Sequence, residues 1–228
     1  MLVRTRKLAT IAAVAALSAL SLAVPATAET TPSSFNAEQL GELHANMDDL
    51  GIDAQTQEAL IDKLESGETV DALDPAAVPV STIQDDTAKF ESEIRVYEDG
   101  SRARSSVENP KSSAGGISPQ SITQCKTSTF SGGSHLSNCL IKIEVITHTA
   151  QFRASYTLVN GGNSYISSAY NWGCVGLGCT IETTGIVKKT ADLNGPAKAS
   201  MRVRIAAGPF ATTGYAQLFV KGAKAWTN

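Results

Sequence analysis

The residue types that ordinarily do chemistry are sparse in this 228-residue chain, and their spacing matches no catalytic pattern. There are three histidines, His44, His135 and His148. A serine hydrolase needs a nucleophile on a strained turn, a histidine to take its proton and a carboxylate to orient the ring. The nearest approach is Ser131-Gly132-Gly133-Ser134-His135, which has neither the Gly-x-Ser-x-Gly elbow nor an acid beside it. An atypical hydrolase would have to combine His135 and His148 with Glu144, Glu182 or Asp192, the only acids after Pro110. That scarcity also argues against the paired carboxylates of glycoside hydrolysis. No phosphate loop or dinucleotide fingerprint occurs. The cysteines lack metal-knuckle spacing, and a His135/His148 metal pair is outweighed by the ordinary surface reading. The atypical hydrolase is therefore the least favoured of the readings, and no cofactor or metal is expected.

Binding chemistry has better candidates. Arg202 and Arg204 alternate with Met201, Val203 and Ile205, which puts both arginines on the outer face of one strand. Lys221 and Lys224 follow, Lys142 and Arg153 join the patch if their strands are neighbours, and Trp226 is the aromatic hardest to bury. Such a patch attracts anionic polymers or surfaces with salt-dependent affinity. Tyr156, Tyr165, Tyr170, Trp172 and Tyr215 could add a stacking platform, although core packing is the expected fate of most of them.

Charge is also segregated along the chain. Between Glu29 and Pro110 there are nineteen acidic residues against five basic ones, and from Lys111 to Asn228 three against eleven. The net charge of −3 hides this division. It implies an intramolecular relation in which the acidic segment faces, and masks, the basic patch.

The elements that must position these residues are legible from periodicity. Phe35 to Leu40 reads as a capped helix start, with Leu40, Leu43, Met47 and Leu50 at helical spacing before Gly51. Asp53 caps a second helix through Leu60, Ile61 and Leu64 that ends near Gly67. Asp74-Pro75 to Pro79 breaks the pattern. Phe90 to Tyr97 and Arg102 to Val107 then flank the turn Glu98-Asp99-Gly100-Ser101 as a hairpin. Beyond Cys125, period-two alternation predicts strands at Leu140 to Thr147, Phe152 to Leu158, Tyr165 to Trp172, Cys179 to Lys189, Ala199 to Ala207 and Gly214 to Lys221. The fold class is mainly β, an antiparallel sandwich or barrel preceded by a small acidic helical hairpin and a β-hairpin. The corresponding segments are 29–73 (helical hairpin), 74–110 (linker and β-hairpin), 111–122 (flexible linker and cleavage candidate) and 123–228 (basic β domain).

The start has the order of a secretory signal peptide over residues 1–28: Arg4, Arg6 and Lys7, an apolar run, then Ala26-Thr27-Ala28. The run is short for a membrane span and ends at Pro25, so no transmembrane anchor is expected and the chain is assigned to the extracellular space. In that oxidising compartment Cys125, Cys139, Cys174 and Cys179 read as two disulfides. Three connectivities are open, of which Cys125 with Cys139 and Cys174 with Cys179 is favoured because each closes a short Gly-containing segment. Nothing in the sequence specifies an oligomeric state.

With its Ala-rich leader, the run Asp48-Asp49-Leu50-Gly51-Ile52-Asp53 leading to Leu60-Ile61-Asp62-Lys63-Leu64-Glu65, and a cysteine-containing β tail, the chain resembles uncharacterised exported proteins of high-GC Gram-positive bacteria. The resemblance implies export and a two-part layout and transfers no functional residue. The functional expectation is a secreted, non-catalytic protein whose basic β domain contacts an anionic partner. The alternative is an inhibitor or toxin-like effector that presents the Cys174 to Cys179 loop as a rigid knob.

Overall fold

A computed structural model of the chain describes residues 35–112 and 124–228. The expected signal peptide (1–28) and most of the expected flexible linker (111–122) lie outside the described residues. Two helices come first, α1 (Ala37–Asp49) and α2 (Ala54–Glu65). The Asn36 side chain accepts from the Gln39 amide while the Gln39 side chain accepts from the Asn36 amide, forming a closed capping box. Asp53 caps α2 through the Thr56 amide. Both helices end on glycines in the left-handed region, Gly51 (φ 71°) and Gly67 (φ 83°), with Ile52 N–H donating to Met47 C=O and Glu68 N–H to Lys63 C=O.

Twelve strands follow in chain order: β1 (Ser81–Gln84), β2 (Phe90–Val96), β3 (Arg102–Glu108), β4 (Lys111–Ser112), β5 (Lys126–Phe130), β6 (Gly133–Val145), β7 (His148–Val159), β8 (Tyr165–Gly176), β9 (Cys179–Lys188), β10 (Ala197–Ala207), β11 (Phe210–Lys221) and β12 (Lys224–Thr227). They form two sheets. Sheet A holds β1 to β8: β7 and β8 flank one edge of β6, while β3 and β5 share its other edge. Sheet B has the order β12-β11-β10-β9.

Period-two alternation makes the sandwich. Ala199, Met201, Val203 and Ile205 of β10, with Ala216, Leu218 and Val220 of β11, turn inward as part of the same buried cluster as Ile141, Ile143 and Val145 of β6 and Ala150, Phe152, Ala154 and Tyr156 of β7. The disulfides join Cys125 to Cys139 and Cys174 to Cys179, the favoured pairing. Closing the longer loop restricts the unfolded chain, a contribution of about 3 kcal/mol for a loop of that size.

The anticipated divisions at 73, 110 and 122 do not separate domains. The described residues fall within one compact unit, Pro32 to Asn228. β3 ladders onto β6 from Ala103 opposite Val145 to Val107 opposite Ile141. Leu43, Met47, Leu60 and Leu64 of the helices belong to the sandwich's own apolar cluster. The narrow stripe of the hairpin finds its cover against one end of the sheets, where Asn46 Nδ2 donates to Ile146 C=O at 3.1 Å and Arg102 to Leu50 C=O at 3.0 Å.

Candidate functional site

The outer face of sheet B is assembled by register. Arg202 and Arg204 stand two residues apart on β10, about 7 Å along the strand, and their lateral neighbours are Tyr215 and Thr213 on β11 and Thr183 and Thr180 on β9. Two rows higher, beyond Ser200 and Gln217, Lys188, Lys198, Phe219 and Trp226 run across all four strands. Lys198 Nζ lies 5.3 Å from the Phe219 ring centroid, and Phe219 stacks on Trp226 at 5.6 Å. Lys221 sits opposite Lys224 at the end of the β11–β12 hairpin. Arg202, Arg204, Lys221 and Lys224 are exposed, and Trp226 retains 42 % of its surface.

Two acids temper this face. Glu182 meets Arg202 Nε at 2.9 Å. Asp192 pairs with Lys188, and that hydrogen bond holds its carboxyl below the usual carboxylate range. Both pairs are on the surface, where solvent and salt screen such contacts and leave them weak. Lys198, Arg204, Lys221 and Lys224 form no ion pair among the described residues.

Lys142 and Arg153 do not join the patch. Their strands, β6 and β7, belong to the other sheet. Lys142 is held by Glu144 at 2.9 Å, and Arg153 Nη1 donates to Glu108 at 3.2 Å and to Asn138 C=O at 2.6 Å. Glu108, only 4 % exposed, also accepts from the Leu140 amide.

The expected mask is corrected in the same way: among the described acids of the α1–α2 hairpin only Asp49 forms an ion pair, and its partner belongs to sheet A. Asp49 pairs with Arg104, which also reaches Asp85 at 2.9 Å and Glu144 at 3.7 Å. The Asp85 contact is an ion pair without the alignment of a hydrogen bond. Burial opposes the charge of Arg104, but Asp49, Glu144 and Asp85 together raise its pKa. Lys63 of α2 joins Asp99 and Asp71, 2.8 and 3.2 Å away. Desolvation works against its charge, yet the two carboxylates outweigh it and raise the Lys63 pKa. With the hairpin in place, Arg202 and Arg204 stay open to solvent.

The chain matches no family model, curated protein or solved structure. The site must therefore be judged on its own chemistry, and the histidines offer no catalytic set. His135 Nδ1 meets Thr157 Oγ1 at 3.0 Å, His44 Nδ1 meets Gln57 Oε1 at 2.8 Å, and His148 Nδ1 meets Thr147 Oγ1 at 3.0 Å. His135 and His148 start adjacent antiparallel strands and so lie toward opposite ends of the β6–β7 ladder. Among the described residues no group of three His, Cys, Asp or Glu could hold a metal, and no helix is long and apolar enough to cross a membrane.

The Cys174 to Cys179 loop is no projecting knob either. Leu177 is 2 % exposed and its N–H donates to Thr147 C=O, while Gly178 C=O accepts from Ala206 N–H. A side chain at Gly178 would strike the Ala206 carbonyl, so this close approach requires glycine. Of the aromatics, Tyr156 and Phe152 are core residues, Trp172 stacks on Phe152 at 4.4 Å, and Tyr215 stays 46 % exposed beside Arg202. Residues that sequence reasoning left out are Lys198 and Phe219. Their parity with Arg202 and Tyr215 was the signal that could have found them.

Proposed function

We propose that this is a secreted, non-catalytic binding protein whose outer face of sheet B contacts an anionic extracellular polymer. The observation that carries the reading is the row Lys188, Lys198, Phe219 and Trp226 beside Arg202 and Arg204 on one open, four-stranded face. The cations supply long-range attraction to phosphate or carboxylate groups, and the Phe219–Trp226 stack supplies an apolar platform for the polymer's rings or backbone. A β-sheet holds these groups in a fixed array, so little ordering entropy opposes binding. Export is supported by the leader-like sequence of residues 1–28 and by two disulfides, bonds that persist in oxidising compartments.

The test is binding of the chain to long-chain polyphosphate. Replacing Lys198, Arg202 and Arg204 together by glutamine is expected to weaken binding at least tenfold, with the melting temperature nearly unchanged. Undiminished binding by the triple variant would remove the sheet B face from consideration.

A further inference from the structure

One concavity lies beside that face and is not part of it. β12 covers only Leu218 to Lys221 of β11. Along Phe210 to Gln217, β11 has no second strand partner among the described residues, and β2 and β3 of sheet A extend beneath this edge. The space between is a cavity of about 280 Å3, bounded on a third side by the Ala72–Ala77 segment. Ala103, Ile143 and Val145 give it an apolar lining, and Arg95, Tyr97 and His148 bring the polar groups. Thr213, Tyr215 and Gln217 are the cavity residues on β11 that also belong to the outer face.

Arg95 has an unusual status among the arginines. Arg102, Arg104, Arg153 and Arg202 each have a carbonyl or carboxylate partner, and Arg204 is solvated. Arg95 is half-buried, its Nε is shielded from solvent with no hydrogen-bond partner, and no carboxylate pairs with it among the described residues. It lies opposite Ala103, which lies opposite Val145, so its side chain shares the face that meets the apolar lining. Asp74 also borders the cavity, exposed, with its carboxylate accepting from the Ala76 amide. Nε alone is shielded, so one donor of the group goes unsatisfied, and the planar fork of a guanidinium is complemented best by a carboxylate.

His148 adds a fixed, uncharged wall. Its ring is 3 % exposed and tethered at Nδ1, and Gly214 leaves room at the opposite edge: a Cβ there would lie 3.2 Å from Nε2. A dry cavity of about 150 Å3 is known to hold benzene, so this one has space for a ring plus an anionic group. We propose that the cavity binds a small organic carboxylate, the carboxylate on Arg95 and the apolar body against Ala103, Ile143 and Val145.

The experiment is an NMR amide titration of the full chain with benzoate, with benzyl alcohol (the body without the charge) and inorganic phosphate (the charge without the body) as comparisons. Benzoate is expected to shift Ala103, His148 and Gly214 at millimolar concentration, with both comparison compounds about tenfold weaker or worse. Arg95→Gln should weaken benzoate about tenfold, and Gly214→Ala should weaken it by crowding the imidazole. Should either variant fail to fold, the three wild-type titrations decide alone. Absence of benzoate shifts at these residues, equal binding of benzyl alcohol or phosphate, or unchanged benzoate affinity in folded Arg95→Gln would each overturn the assignment. None of these readouts depends on polyphosphate, so the two sites are judged separately.

Discussion

Two cationic regions of this molecule use the same residue types to opposite ends. Where β3 meets β6 and β7, Arg104, Lys142 and Arg153 are half-buried and each meets a carboxylate. Arg104 and Glu108 come from the acidic half of the chain, Lys142, Glu144 and Arg153 from the basic half, so pairing crosses the charge divide in both directions. On sheet B, Arg204, Lys198, Lys221 and Lys224 face solvent or a ring and form no ion pair among the described residues. Position in the sheets, and not composition, decides whether a cation fastens the fold or remains free to bind. A buried pair is costly to break from one side because the survivor is left charged and desolvated, whereas an exposed cation costs little to remove.

The largest effect that can break this comparison is Glu108→Ala. It leaves Arg153 without its carboxylate and Leu140 N–H without its acceptor, and it should destabilise the fold by about 3–5 kcal/mol in chemical denaturation. Pairing it with Arg153→Met should recover much of that loss. A single-variant effect below about 1 kcal/mol would show that the seam is no fastening.

Acid separates the regions differently. Burial pushes His148 down to about 4. Above pH 6.5 both states carry a neutral ring, and between about 6.5 and 4 the unfolded chain takes up a proton that the folded one refuses. Stability should therefore fall across that window by roughly 3 kcal/mol. His148→Gln should flatten it. Asp99, which pairs with Lys63 at the helical hairpin, responds lower: although burial raises its pKa, hydrogen bonds from Lys63 and Ser101 produce a net depression. Its contribution is present above pH 3.8 and is lost only as pH falls below that value.

A smaller loss in chemical denaturation is expected for Asp53→Ala, which removes the α2 cap and loosens the hairpin that supplies Asp49 and Lys63 to their ion pairs. The smallest is Arg202→Gln with Arg204→Gln, whose stability should stay within about 0.5 kcal/mol of wild type. A larger loss would mean that the open face is structural after all.

Much of this architecture was legible. Both helix caps, the Asp99-Gly100 hairpin, the inward parity of β10 and the two disulfides follow from local chemistry that tertiary context did not override. β1, β5 and β12 were missed because short edge strands carry too few apolar residues to show alternation. The burial of His148 was readable from its parity with Ala150, Phe152, Ala154 and Tyr156. The site was legible only in part. Arg202 and Arg204 share one strand, so their common face follows from period two, but whether Lys142 and Arg153 neighbour them depends on sheet membership, which parity does not contain. Arg95 shares parity with Glu91 and Glu93 and so looked solvent-facing. Its face is the inner one, polar because sheet A extends beyond the edge of sheet B.

The most direct test of the open face is the salt dependence of polyphosphate binding, compared between the Lys198→Gln, Arg202→Gln, Arg204→Gln variant and a charge-matched control on sheet A and its loops, Lys89→Gln, Lys111→Gln, Lys126→Gln. Each phosphate contact contributes about 0.7 to the log–log slope on a single-stranded polyanion, so the first variant should lower that slope by about two and the control should leave it near wild type. Equal slopes for the two variants would contradict the account, because binding would then follow net charge and no particular face.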